Sequence, residues 1–328
     1  MTMLSRVAER LYWMARYLER SEDTARLTNA FNHLIMDLPV SADIGWDLLI
    51  KIFDADDLFD SRPKRLSEQN VLRFLLSDPN NPSSIVSSIR SARENVRTTR
   101  DALPYEMWEY MNELHLFAQE QAEKSIGRRN RYNFLERIMS HSQQINGLLL
   151  TTLSRDHAYQ FIKMGCLLER ADMTTRIIDV GAGAMINRDD ENNDHHLMAA
   201  PHIWTSLLRA LSSISSYREY MGPIVDKSSV VNFVFKESSH PRSVIFCLRG
   251  IREELSYLNS SAQLLKTVDN VIDQLMVFSV FDNTNDELDQ FIDNLQLEIC
   301  EIHNLITENW FSYYSPACTA SGVQMQTT

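Results

Sequence analysis

The chain has 328 residues, 44% apolar and 23% charged, with a formal net charge of −12. This is globular composition, which excludes wholesale disorder, and its acidic balance excludes a general nucleic-acid binder, because phosphate binding rests on clustered Lys and Arg. Only 9 Gly and 9 Pro are present, against average usages of roughly 7% and 5%, so turns are few and an all-α chain of long helices is expected.

In chain order, the first predicted element is a helix over about residues 4–35. It carries Leu18-Glu19-Arg20-Ser21-Glu22-Asp23-Thr24-Ala25-Arg26. At about 100° per residue, Ala8, Leu11, Ala15 and Leu18 form an apolar stripe. Glu22 falls inside that stripe, Glu19 and Arg26 flank it, and Arg20 and Thr24 point away. A shorter helix follows Trp46, and Ser77-Asp78-Pro79-Asn80-Asn81-Pro82-Ser83 has breaker and N-cap chemistry. The basic run Arg128-Arg129-Asn130-Arg131 reads as a solvated helix end or loop.

A second long helix is expected over about 154–186, with Ala158, Phe161, Gly165 and Leu168 as its stripe. Asp172 lies within the stripe, Glu169 and Arg176 beside it, and Arg170 away from it. Asp189 to His196 reads as a mobile connection. Trp204 opens another helix, Glu237-Ser238-Ser239-His240-Pro241-Arg242-Ser243 forms a second breaker loop, and 316–328 reads as a flexible tail.

These elements repeat. Ala8, Met14, Leu18-Glu19-Arg20, Thr24 and Arg26 meet Ala158, Met164, Leu168-Glu169-Arg170, Thr174 and Arg176 at one fixed spacing. Trp46, Val71, Phe74, Pro82, Ser84, Arg90 and Glu94 are then answered in order by Trp204, Val230, Phe233, Pro241, Ser243, Arg249 and Glu253. The expectation is an internally duplicated helical bundle. Two tandem units, 1–150 and 151–315, would pack their motif helices about a pseudo-twofold axis.

Each unit thus directs carboxylates and a guanidinium toward its apolar face, where charge is costly unless paired. Glu22 with Arg26, and Asp172 with Arg176, have the spacing for ion pairs within one helix. Glu19 and Glu169 remain. They can meet the other copy's arginine, another helix or a ligand. Two readings stay open: a buried network that fixes docking, or a polar cleft for an amino-acid-like ligand whose carboxylate an arginine grips. Small residues at Ala8, Ala15, Ala158 and Gly165 suit either room for a ligand or close helix packing. The candidate ligand or interface residues are Glu19, Arg20, Glu22, Arg26, Glu169, Arg170, Asp172 and Arg176.

Other chemistry is not indicated. Only Glu237-Ser238-Ser239-His240 has di-metal spacing, and it runs into Pro241, so no metal is expected. Asp194-His195-His196 reads as part of a solvated linker. No nucleotide loop is visible and no cofactor is expected. Cys166 adjoins the second motif, but its counterpart is Arg16, which argues against a nucleophile held by the repeat. The four cysteines lack paired spacing and read as free thiols. No signal peptide or membrane span is apparent, so the expected location is cytoplasmic.

The segment Leu4-Ser5-Arg6-Val7-Ala8-Glu9 through Tyr17-Leu18-Glu19-Arg20-Ser21-Glu22-Asp23-Thr24-Ala25-Arg26, with Leu168-Glu169-Arg170-Ala171-Asp172, resembles the bacterial alpha-E proteins over nearly the whole chain. That family is all-helical and named for a Glu-Arg motif, here Glu19-Arg20 and Glu169-Arg170. The resemblance implies neighbours: an ATP-grasp-type ligase and a transglutaminase-like protease, in a system that makes or modifies a peptide. It implies a helical partner protein or, as the alternative, an enzyme of that pathway whose Glu/Arg cleft binds an amino-acid-like or acyl-phosphate ligand. No nucleic acid or membrane partner is expected, and homo-oligomerisation stays open.

Overall fold

The structure is a computed structural model that describes residues 3–37, 45–61, 66–186, 194–259, 262–280, 284–311 and 326. Its helices are α1 Ser5–Asp37, α2 Asp47–Ile52, α3 Asp56–Asp60, α4 Glu68–Leu76, α5 Ile85–Thr98, α6 Glu106–Gln121 and α7 Arg128–Thr152. They continue with α8 His157–Ile186, α9 Asp194–Ala210, α10 Ile214–Met221, α11 Lys227–Lys236, α12 Val244–Ser256, α13 Ala262–Val277 and α14 Asn285–Trp310. No strand occurs among the described residues, and the fold is all-α.

Helix α1 is a central strut. It packs most heavily on α8, then on α5, α9 and α7, while α8 packs also on α12 and α14. Every residue from Leu11 to Ala25 is buried. A helix enclosed on all sides has no solvent face, so the stripe read from its sequence describes only one of several buried contacts.

The two breaker loops close with the same bonds. Ser84 caps α5 by accepting from the Ser87 amide, and its hydroxyl donates to the Asp78 carbonyl at 2.8 Å. Ser243 caps α12 by accepting from the Phe246 amide, and its hydroxyl donates to the Glu237 carbonyl at 2.6 Å. The Asp78 carboxylate takes the Asn80 amide at 2.9 Å, as Glu237 takes that of Ser239 at 2.9 Å. Such caps satisfy helix N-H groups that lack an intrahelical partner.

Four expectations are corrected. Arg131 is not solvated: it is 2% exposed and donates to Asn32, Glu68 and the Ile126 carbonyl. Of the acidic connection, 187–193 lie outside the described residues, and Asp194-His195-His196 begin α9. The tail lies mostly outside them too. Within it, Gln326 donates its amide to the Tyr17 hydroxyl at 3.0 Å and accepts from Asn95 at 2.9 Å. Trp204 does not open its helix but lies inside α9, which begins at Asp194. Cys166 and Cys247 are free thiols, but Cys300 is disulfide-bonded. Among the described residues, no helix is long and apolar enough to cross a membrane.

Candidate functional site

The site begins with a close helix approach. Gly165 of α8 lies against the backbone of Tyr12 in α1, where an added Cβ would run into the Tyr12 carbonyl oxygen. Ala8, Ala15 and Ala158 of the same two helices are buried as well. Gly165 thus serves close packing, and this brings the next turns of both helices within side-chain reach.

On those turns the motif residues pair across the helices. Glu169 receives Arg20 through Nε at 2.5 Å and Nη2 at 3.1 Å, and Arg16 through Nε at 2.7 Å. Glu19 receives Arg170 through Nε at 2.8 Å and Nη2 at 3.0 Å, and the Cys166 thiol at 3.1 Å. Position 166 is where the sequence comparison sets Cys against Arg16. A second guanidinium reaches Glu19 from elsewhere: Arg242, at the mouth of α12, stands 3.3 Å from it.

Arg242 also holds Asp23 at 2.5 Å and Glu22 at 3.3 Å. The pairs within one helix form as well, Arg26 to Glu22 at 2.5 Å and Arg176 to Asp172 at 3.1 Å. Glu19, Arg20 and Glu169 are each no more than 2% exposed, so solvent screening is small and the desolvation cost must be met by these bonds.

Burial alone would raise the Glu19 carboxyl, but Arg170 and Arg242 override it and hold it at about 2. Glu169 is lowered likewise, with Arg20 and Arg16 overcoming burial. Asp23 behaves oppositely. Burial first, then the Glu19 and Glu22 charges, lift it to about 7 against the pull of Arg242. One guanidinium shared by three carboxylates cannot hold all of them ionised equally well. The Cys166 thiol is pushed far up by burial and the Glu19 charge, so it is a hydrogen-bond donor and not a thiolate nucleophile.

A family model described as a predicted alpha-helical domain with a conserved ER motif, Alpha-E, matches residues 3–311. The chain belongs to the Alpha-E family. No curated protein and no solved structure matches it.

In this Alpha-E chain the network continues to a third helix. His303 of α14 takes the Tyr12 hydroxyl at 2.8 Å and Arg16 Nη1 at 3.2 Å, both on Nδ1. A guanidinium can only donate, so that nitrogen accepts and the ring is neutral with its proton on Nε2. Burial, then the charges of Arg16 and Arg20, hold the imidazole pKa well below its ordinary value.

All eight candidate residues lie in or beside this layer. Arg20 and Arg170 correct the wheel, since they point into the α1–α8 interface and complete the carboxylate pairs. Thr24 and Thr174 are buried too, bonded to the carbonyls of Arg20 and Arg242. Sequence reasoning missed Arg16, Asp23, Arg242 and His303. Arg16 and Asp23 carried a signal in being charged positions of an otherwise repeated helix, set against Cys166 and Met173. Arg242 and His303 carried none, because they arrive from distant segments.

Proposed function

We propose that the Glu-Arg motif of this Alpha-E protein is a docking lock. On this reading the chain is a helical partner in a peptide-synthesis or peptide-modification system, working with an ATP-grasp-type ligase and a transglutaminase-like protease. The observation that carries the reading is that Glu19 and Glu169 are each held by two guanidinium groups of the same chain, inside the core. Groups so committed orient helices. The alternative, an enzyme using these carboxylates and arginines as a cleft, would have to break two buried ion pairs before a ligand could enter.

The internal duplication belongs to the same proposal, with the two motif helices related by a pseudo-twofold axis. Its supports are the reciprocal pairs Glu19–Arg170 and Glu169–Arg20, the matching positions 16 and 166 on those carboxylates, and the twin loop caps. The Trp-bearing helices add to this: α9, with Trp204 in its second half, packs on α1, while α2, which follows Trp46, packs on α8.

The test is co-purification of the full chain with its neighbouring ligase, with ligase turnover measured with and without it. Complex formation and a change in turnover that survives in Cys166→Ala are expected. A ligase that neither binds nor responds, beside a correctly folded chain, would overturn the partner role.

A further inference from the structure

A cleft of about 450 Å³ opens between the end of α2, the second half of α8 and α14, lined among others by Lys51, Asp54, Arg176, Asp179, Asp293 and Gln296. This is within the usual size range of small-molecule sites. It lies beside the ion-pair layer and shares one residue with it, Arg176.

The Arg176 side chain is only 10% exposed, and among the described residues its one hydrogen bond runs from Nε to Asp172. Nη1 stands 3.9 Å from Asp54, beyond hydrogen-bond reach. The outer edge of the guanidinium fork therefore lines the cleft, its Nη atoms making no hydrogen bond among the described residues and Nη1 only loosely ion-paired with Asp54, in the geometry that takes a carboxylate at two points.

One helical turn along the same face is Asp179, half-buried, with one weak donor, Gln296 Nε2 at 3.4 Å. Asp293 of α14 faces it from the opposite wall. Burial, then the Asp293 charge, raise the Asp179 carboxyl to about 6, the behaviour of like charges that lack a cation between them. Residues three apart on a helix are near neighbours, so an anion-seeking group and a cation-seeking pair sit side by side.

We propose that this cleft binds a free α-amino acid, its carboxylate on the Arg176 fork and its ammonium between Asp179 and Asp293. Lys51 and Asp54 then face the side chain. A peptide separates its two terminal charges, whereas a free amino acid carries both on one carbon. The proposal stands apart from the partner role and does not require it.

The test is calorimetric titration of the full chain with each standard L-amino acid, its N-acetyl derivative and its decarboxylated amine. At least one amino acid should bind one-to-one with a Kd below about 1 mM. Both derivatives should bind about tenfold more weakly or worse, since each lacks one charge. Asp293→Asn, at an exposed position, should weaken binding about tenfold at an unchanged melting temperature, and Gln296→Ala should weaken it less. Absence of saturable heat with every amino acid would overturn the proposal. So would equal binding of the N-acetyl derivative, or full affinity in the folded Asp293→Asn protein.

Discussion

Glu19 and Arg170 stand 151 positions apart and close a two-point ion pair at 2.8 and 3.0 Å, and Glu169 with Arg20 makes the same bond in the opposite sense. The two pairs flank a helix crossing that Gly165 keeps tight. Because both carboxylates and their arginines are out of water, each pair is worth little if replaced whole by apolar groups and a great deal if broken by half. That asymmetry makes the lock testable.

Glu169→Gln leaves Arg16 and Arg20 together in the core without a counter-charge. A loss of about 3 to 5 kcal/mol in unfolding free energy is expected, read by urea titration. Removing the guanidinium groups as well, in Arg16→Met, Arg20→Leu and Glu169→Leu combined, should recover most of it. A Glu169→Gln protein within about 0.5 kcal/mol of the parent, as at ordinary surface positions, would contradict the structural role. Arg176→Ala should also destabilise, by leaving Asp172 unpaired.

Arg242→Ala should cost about 3 to 5 kcal/mol by the same reasoning, since Asp23, Glu19 and Glu22 would lose a shared cation. Adding Asp23→Asn to that variant relieves the crowding and should return part of the stability. If the double variant is less stable than Arg242→Ala alone, the shared-cation account fails.

Acid and neutral pH should act on different carboxylates. Glu19 is held below its ordinary value, at about 2. Its contribution is therefore present above the unfolded value of about 4.3 and is lost as pH falls toward 2. Asp23 is raised to about 7, so its contribution is present below about 3.9 and is lost as pH rises through 7. Melting temperatures measured over pH should show Asp23→Asn gaining on the parent between about pH 4 and 7. Parallel curves for the two proteins across that window would contradict the assignment.

Gly165→Ala sets two effects against each other. Alanine favours a helix interior over glycine by about 1 kcal/mol. Its methyl would meet the Tyr12 carbonyl, which is backbone and cannot rotate away, and such overpacking costs about 1 to 3 kcal/mol. Net destabilisation is expected, measured by thermal melting. A more stable Gly165→Ala protein would show that the α1–α8 approach is looser than described.

Local rules reached the helices and the pairs within them. The scarcity of Gly and Pro pointed to an all-α fold, the predicted spans 4–35 and 154–186 fall close to α1 and α8, and four-residue spacing placed Arg26 on Glu22 and Arg176 on Asp172. These follow from helix geometry, which depends on neighbours in sequence. The direction of Arg20 and Arg170 did not follow. A helical wheel presumes one wet face, and α1 has none between Leu11 and Ala25, so only the positions of α5, α7, α8 and α9 around it decide which side chain meets which. The same holds for Arg242 and His303, whose partners are chosen by long-range packing. Residue type and helix periodicity set which charges this chain carries into its helices and where along them. The tertiary structure alone decided that Glu19 and Glu169 would be neutralised from outside their own helices, because ion pairs between distant segments exist only once the chain has closed around them.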